Sequence, residues 1–305
     1  MKTRIAAVTG GYGLVGSQIV KELISLGWKV KILSRSNKDN LSSNIQIIQS
    51  EINDTEALKS LVFGADAIFH CAGELIDEKN MYSTNVEGTQ NLLNIAKQSS
   101  ATFFCLMSSA GVIAKTDDNP VTENTICNPQ NLYEKTKYES ELLVQKANLN
   151  MSVCILRPTN VVDSFKPGII LLPILDGWKE KIKVLIKGKE NAHIVHAKDV
   201  ARSAIFFLEQ RISGVNIFFI SIDIDKKNKI QNIYNEYLKL TCINNPINIS
   251  MPLFVPYILR KFFRNGGLHG KIMFSNSKII NAGFEFQYNV DSILREVHAN
   301  RHNSQ

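Results

Sequence analysis

The stretch Arg4 to Gly10 reads RIAAVTG, an apolar, β-prone run that ends abruptly in Thr9 and glycine. The next stretch, GSQIVKELISLG, carries Ile19, Val20, Leu23, Ile24 and Leu26 at helical spacing, with Gly27 as a stop. WKVKILSR then alternates like a strand, and IQIIQS is another short one. TEALKSLVFG reads as a helix with Asp54 or Thr55 available as a cap. DAIFHCAG and TFFCLMSSAG read as strands ending in small residues, with NVEGTQNLLNIAKQS between them as a helix in spite of Gly88. LYEKTKYESELLVQKA predicts a long helix and MSVCILRPTN a sixth strand. Strands separated by helices of this length predict a parallel sheet with helices on both faces.

Composition adds bounds. A chain of 305 residues can bury the core of one large α/β domain, or of a main domain with a smaller appendage. GIILLPIL is the nearest approach to a spanning run, and it contains a proline and falls far short of the roughly 20 apolar residues a bilayer requires. Five cysteines (Cys71, Cys105, Cys127, Cys154 and Cys242) are scattered and lack CxxC spacing, which reads as buried thiols in a reducing, cytoplasmic compartment. No tight cluster of metal ligands stands out, so no metal is expected. The net charge of +7 is dispersed, without a basic block or a nucleic-acid motif; it suits a phosphate-bearing cofactor or an anionic substrate better than nucleic acid.

The glycines give the first chemistry. Gly10, Gly13 and Gly16 stand three apart, directly after the first strand and at the opening of the first helix. Glycine permits the tight turn and lets backbone approach a diphosphate without a Cβ in the way, while the helix N-terminus offers free N–H groups. In this context the spacing predicts a dinucleotide site. NAD binders usually carry an acidic residue about 20 residues further on. Here the second strand ends in Ser34, Arg35 and Ser36. A guanidinium can grip a 2′-phosphate that a carboxylate would repel, so NADP is preferred over NAD; the alternative is that Arg35 is a solvated loop residue.

A second constellation follows the fifth strand. Ser108 and Ser109 lie at a strand's C-terminal end, where open α/β sheets bind ligands. Tyr133 and Lys137, four apart, share one face of the helix after it, where Lys137 could also simply pair with Glu141.

These motifs in this order resemble the extended short-chain dehydrogenases/reductases, of the NAD-dependent epimerase/dehydratase type. The resemblance rests on TGGYGLVG, FHCAG, NVEGTQNLL, MSSAG, YEKTK, LRPTNVV, HIVHAKDVA and NAGFEF, which together span nearly the whole chain. It implies a Rossmann-type doubly wound parallel sheet with a smaller C-terminal substrate-binding subdomain. It implies that Tyr133 is the general acid/base, Lys137 its partner, and Ser109, ahead of Ser108, the donor to the reacting oxygen. A nearby ammonium would lower the tyrosine's pKa from about 10, and hydride would pass between substrate carbon and nicotinamide. The resemblance also places Gly10, Tyr12, Gly13, Leu14, Val15, Gly16, Glu51, Ile52, Cys71, Ala72, Gly73 and Pro158 on the cofactor. Asn85 takes the place of the family's helix asparagine. His70, at the end of a buried strand, reads as structural, and Asp199 as a helix cap near His193 and His196.

Substrate is less sharply drawn. Asn160 matches an asparagine that contacts the diphosphate in many sugar-nucleotide enzymes of the family. The basic residue often found before HIVHAKDVA is absent; Arg260, Lys261 and Arg264 could replace it, or belong to a lid helix or one touching a membrane surface. The expected organisation is a cofactor domain over 1–160, with 195–222 returning to it, and substrate-binding portions at 161–194 and 241–305. The expected activity is oxidation, reduction or epimerisation of a sugar-like carbonyl or alcohol, most plausibly a nucleotide sugar, and the family allows a homodimer. The alternatives are a hydrophobic or lipid-linked carbonyl substrate, or a non-catalytic NADPH-binding regulator or assembly factor on the same fold.

Overall fold

A computed structural model describes residues 3–36, 42–163, 178–242, 246–263 and 270–302. Arg264 and the GIILLPIL run lie outside these residues, and only the backbone of Arg260 and Lys261 is described. The chain forms two compact units: Met1–Val112 with Asn131–Arg157 and Val200–Phe218, and Ile113–Gln130 with Pro158–Asp199 and Phe219–Gln305.

The first strands are β1 (Ile5–Thr9), β2 (Lys29–Ser34), β3 (Ile45–Gln49), β4 (Ala67–His70), β5 (Phe103–Met107) and β6 (Ser152–Pro158). Two more, β7 (Asn160–Val162) and β8 (Ile194–His196), form a separate parallel pair, and β9 (Val215–Ile220) completes a seven-stranded sheet in the order β3-β2-β1-β4-β5-β6-β9. The sheet is parallel, with β1 flanked by β2 and β4, and the order reverses at β1. Strands covered on both faces are apolar throughout rather than alternating, which is why β4 and β5 are buried at every position. The doubly wound α/β fold expected from the sequence is thus present.

Helices α1 (Leu14–Ser25), α2 (Thr55–Val62), α3 (Glu78–Tyr82), α4 (Gly88–Ala96) and α5 (Leu132–Lys146) belong to the first unit. Leu58, Leu61, Leu92, Leu93 and Val144 from α2, α4 and α5 pack with Ile68, Phe104, Leu106 and Ile155 of the sheet in one hydrophobic cluster. Asp54 caps α2, accepting the N–H groups of Glu56 and Ala57. A capping box starts α5: Asn131 accepts the N–H of Glu134, whose carboxylate accepts the N–H of Asn131. The expected helix from Asn85 begins instead with a π-turn over Ser83–Glu87. Gly88 follows it for a packing reason: a Cβ there would lie 2.7 Å from Ile52.

In the second unit, Asp199 was expected to cap a helix. It lies inside the first turn of the helix Ala197–Gln210, and its carboxylate accepts N–H groups from Gln287 and Tyr288. It therefore fixes backbone far outside its own helix. His193 pairs with Asp223 at 2.6 Å, and Asp223 also accepts the N–H of Phe274. Among the described residues, no helix is long and apolar enough to cross a membrane.

Candidate active site

The C-terminal ends of β1, β2, β3 and β4 open onto a cleft of about 360 Å³ in the first unit. Gly10 has a φ of +67°, and a Cβ on it would stand 2.6 Å from the Ala72 nitrogen. A Cβ on Gly16 would overlap the Gly10 carbonyl, so α1 can start this close to β1 only through glycine. Gly13 is the N-cap of α1 and gives no side-chain hydrogen bond, and the helix's first turn has no acidic residue. Its leading N–H groups and its positive dipole end are thus left to an outside anion. Such a cradle, which a Cβ would fill, fits the diphosphate of a dinucleotide.

Gly10, Tyr12, Gly13, Arg35, Glu51, Ile52, Ala72 and Gly73 line the cleft, as the sequence led us to expect. Leu14, Val15, Gly16 and Cys71 are not part of the lining; Val15 and Gly16 are buried behind it. Thr9, Gly11, Ser34, Ser36, Ser50, Asn53 and Glu74 line it as well and were missed. The signal for them was positional, because each follows or ends a strand at the ligand-binding edge of the sheet. Arg35 is exposed at the β2 end, where the Ser34 hydroxyl donates to the Ser36 carbonyl. The Glu74 carboxylate accepts three successive N–H groups, from Leu75, Ile76 and Asp77. Those bonds, with a smaller effect of the Arg35 charge, hold it below the usual carboxylate range.

A second group lies in the same unit at the ends of β5 and α5. Ser109 hydrogen-bonds the Tyr133 phenol and accepts the N–H of Gly111. Ser108 is differently engaged: its hydroxyl donates to Glu141, buried at 2.5 Å. Glu141 also takes a buried ion pair from Arg157, so it is not reserved for Lys137. Lys137 is buried and donates to the Met107 carbonyl. Burial brings its pKa down to about 8, against the opposing pull of Glu141 and Cys71. The expectation for Tyr133 needs correction. Burial raises its pKa above 10, and the Ser109 hydrogen bond only partly offsets this. The phenol is thus favoured in its protonated form.

The two groups meet at Gly73, where a Cβ would stand 3.8 Å from the Lys137 amine and 3.5 Å from the Asn85 amide oxygen. Asn85 is a support: its side chain accepts the N–H of Glu74 and donates to the Glu74 carbonyl and to Thr136 on α5. Pro158 closes β6 and is buried. Asn160 opens β7 in the second unit, where its side chain donates to the Ala192 carbonyl and its N–H to that of His193. Among the described residues no cluster of His, Cys, Asp and Glu could hold a metal ion.

Residues 6–221 match the NAD dependent epimerase/dehydratase family. The chain belongs to that family. Among its relatives is the sterol-4-alpha-carboxylate 3-dehydrogenase, decarboxylating, of Dictyostelium discoideum, 31% identical over 64% of this chain and 64% of that protein. Another is the uncharacterized protein y4nG of Sinorhizobium fredii, 30% identical over 66% of this chain and 52% of that one. The chain thus spans between about half and two-thirds of these relatives' lengths. The fold is shared with the UDP-N-acetylglucosamine 4-epimerase of Methanobrevibacter ruminantium, solved in complex with UDP-N-acetylmuramic acid. That likeness has a TM-score of 0.79 at 19% identity and covers 100% of both chains.

Proposed function

We propose that this protein is an NADP-preferring member of its family that oxidises, reduces or epimerises a sugar-like alcohol or carbonyl, with a nucleotide sugar as substrate. The observation that carries this reading is the junction at Gly73, where the dinucleotide cleft reaches the Lys137 amine. Gly10, Gly13 and the first turn of α1 hold the diphosphate, Glu51 and Ile52 flank the adenosine, and Arg35 takes the 2′-phosphate. Leu14, Val15, Gly16, Cys71 and Pro158 complete the assignment as neighbours in the turn, the β4 end and the β6 end. When bound, the nicotinamide supplies hydride chemistry. Tyr133 donates or accepts the proton at its phenol oxygen, Ser109 donates to the reacting substrate oxygen, and the Lys137 ammonium stabilises the phenolate as it forms.

Substrate specificity is assigned to 161–194 and 241–305, with Asn160 toward the diphosphate. The nucleotide-sugar reading is supported by the sugar-nucleotide epimerase that shares the fold. A hydrophobic carbonyl substrate is the second reading, favoured by the sterol dehydrogenase among the relatives. The test is a panel of nucleotide sugars, with a sterol-type ketone and the matching alcohol beside it, incubated with NADPH and separately with NADP+ while absorbance and product mass are followed. Reduction consumes NADPH, oxidation generates it from NADP+, and epimerisation leaves the cofactor balance unchanged. Conversion of the ketone or its alcohol alone would favour the second reading, and no conversion with either form of the cofactor would overturn both.

A further inference from the structure

Beneath the cleft lies a buried imidazole for which the proton-handling group has no use. His70 ends β4 at 1% exposure. Its Nδ1 lies 2.7 Å from the Thr9 hydroxyl and its Nε2 lies 2.8 Å from the Thr89 hydroxyl. The neighbours fix the direction of each proton. The Thr89 hydroxyl donates to the Asn85 carbonyl, so its oxygen accepts from the ring and Nε2 carries the hydrogen. The Thr9 oxygen accepts the Ala72 N–H, so its own proton goes to the bare Nδ1. The ring is thus neutral, as its burial and the nearby Lys137 charge require; together they bring its pKa down to about 3.

We propose that His70 is a positioning residue that ties the cofactor cleft to the acid–base helix, one ring nitrogen serving each. The inference rests on the function proposed above. The Nδ1 arm ends on Thr9 and Ala72, both of which line the cleft. The Nε2 arm ends on Thr89 and Asn85. Asn85 in turn clamps Glu74 on both sides of its backbone and reaches Thr136, while its carbonyl also accepts the Ser140 hydroxyl of α5. One turn of α5 thus carries Tyr133, Thr136 and Lys137 on a frame that runs back to His70. A single imidazole sets both the wall that meets the dinucleotide and the helix that presents the phenol.

The two arms can be cut separately. In His70→Asn the carboxamide sits where Nδ1 was; in His70→Gln it extends to the place of Nε2. Thr9→Val and Thr89→Val each remove one hydroxyl at nearly constant shape, which covers the case in which a His70 variant fails to fold. The measurements are the NADPH dissociation constant, from cofactor fluorescence, and amide hydrogen exchange across 83–89 and 132–140. Loss of the Nδ1 arm in His70→Gln and Thr9→Val should weaken NADPH binding roughly tenfold and leave exchange in those segments unchanged. His70→Asn and Thr89→Val should hold NADPH binding within about twofold while exchange there rises roughly tenfold or more. The same shift in affinity in all four variants, or none in any, would reduce His70 to a structural residue and overturn the proposal. Absence of NADPH binding by the unmodified protein would instead overturn the proposed function first, before any variant is compared.

Discussion

The dinucleotide cleft and the proton-handling group are built in opposite ways. Glycines shape the floor of the cleft, where main-chain N–H groups at a helix start are assigned the diphosphate, with side chains such as Arg35 and Glu51 around them. Side chains make the second group, each held by a partner remote in sequence: Lys137 by the Met107 carbonyl, Ser108 and Arg157 by Glu141, Thr136 by Asn85. A backbone site tolerates changes in side chains but not an added Cβ. A side-chain site has the reverse sensitivity, since removing one partner strands another in the interior.

Lys137→Met should bring the largest change. Turnover is expected to fall by about 10²–10⁴-fold, the usual range for losing acid–base support. The amine is charged below about pH 8 and neutral above it, so kcat/KM of the unmodified protein should decline above that pH. Residual activity in Lys137→Met should lack that limb, and a limb that stayed in place would remove Lys137 from the mechanism.

Arg35→Ala probes the basic side chain assigned to the cleft. It should weaken NADPH binding by roughly 10–100-fold, the span of a charge-assisted hydrogen bond, while NADH affinity changes by less than about twofold. Equal affinities for NADPH and NADH in the unmodified protein would sink the 2′-phosphate assignment. Gly88→Ala tests the backbone rule from a distance. Its Cβ would press on Ile52, so it should cost about 1–3 kcal/mol of stability in a urea melt and weaken NADPH binding several-fold. Unchanged stability and affinity would show that Ile52 moves aside freely.

The last effect is a pH slope, small within any one pH unit. His70 has a folded-state pKa near 3, below the unfolded value of about 6.5, so between those values the unfolded chain binds the extra proton. Stability contributed by the neutral ring is present above about pH 6.5 and is lost as the pH falls, by up to about 1.4 kcal/mol per unit. His70→Asn should flatten that slope, and an identical slope in the variant would assign it to other groups.

The contrast also explains what was legible in the sequence. Gly10, Gly13, Gly16 and the strand–helix alternation are local, so the fold and much of the cleft could be read from spacing. NLYE contained a capping box, readable but unread. The fit of Ile52 against Gly88 and the His70–Thr9–Thr89 chain depend on residues 19 to 61 positions apart that only the folded chain brings together. No local pattern encodes them. The rise in the tyrosine's pKa was hidden for the same reason, because spacing shows that Lys137 shares a face with Tyr133 but not how far the phenol is buried.

The central claim is that one region holds the dinucleotide and the other moves the proton. Tyr133→Phe tests it most directly, with the NADPH dissociation constant and turnover measured on the same preparation. Affinity should stay within about twofold of the unmodified protein while turnover falls by about 10²–10⁴-fold. Turnover that survives in Tyr133→Phe, or NADPH affinity that falls as far as turnover does, would contradict it.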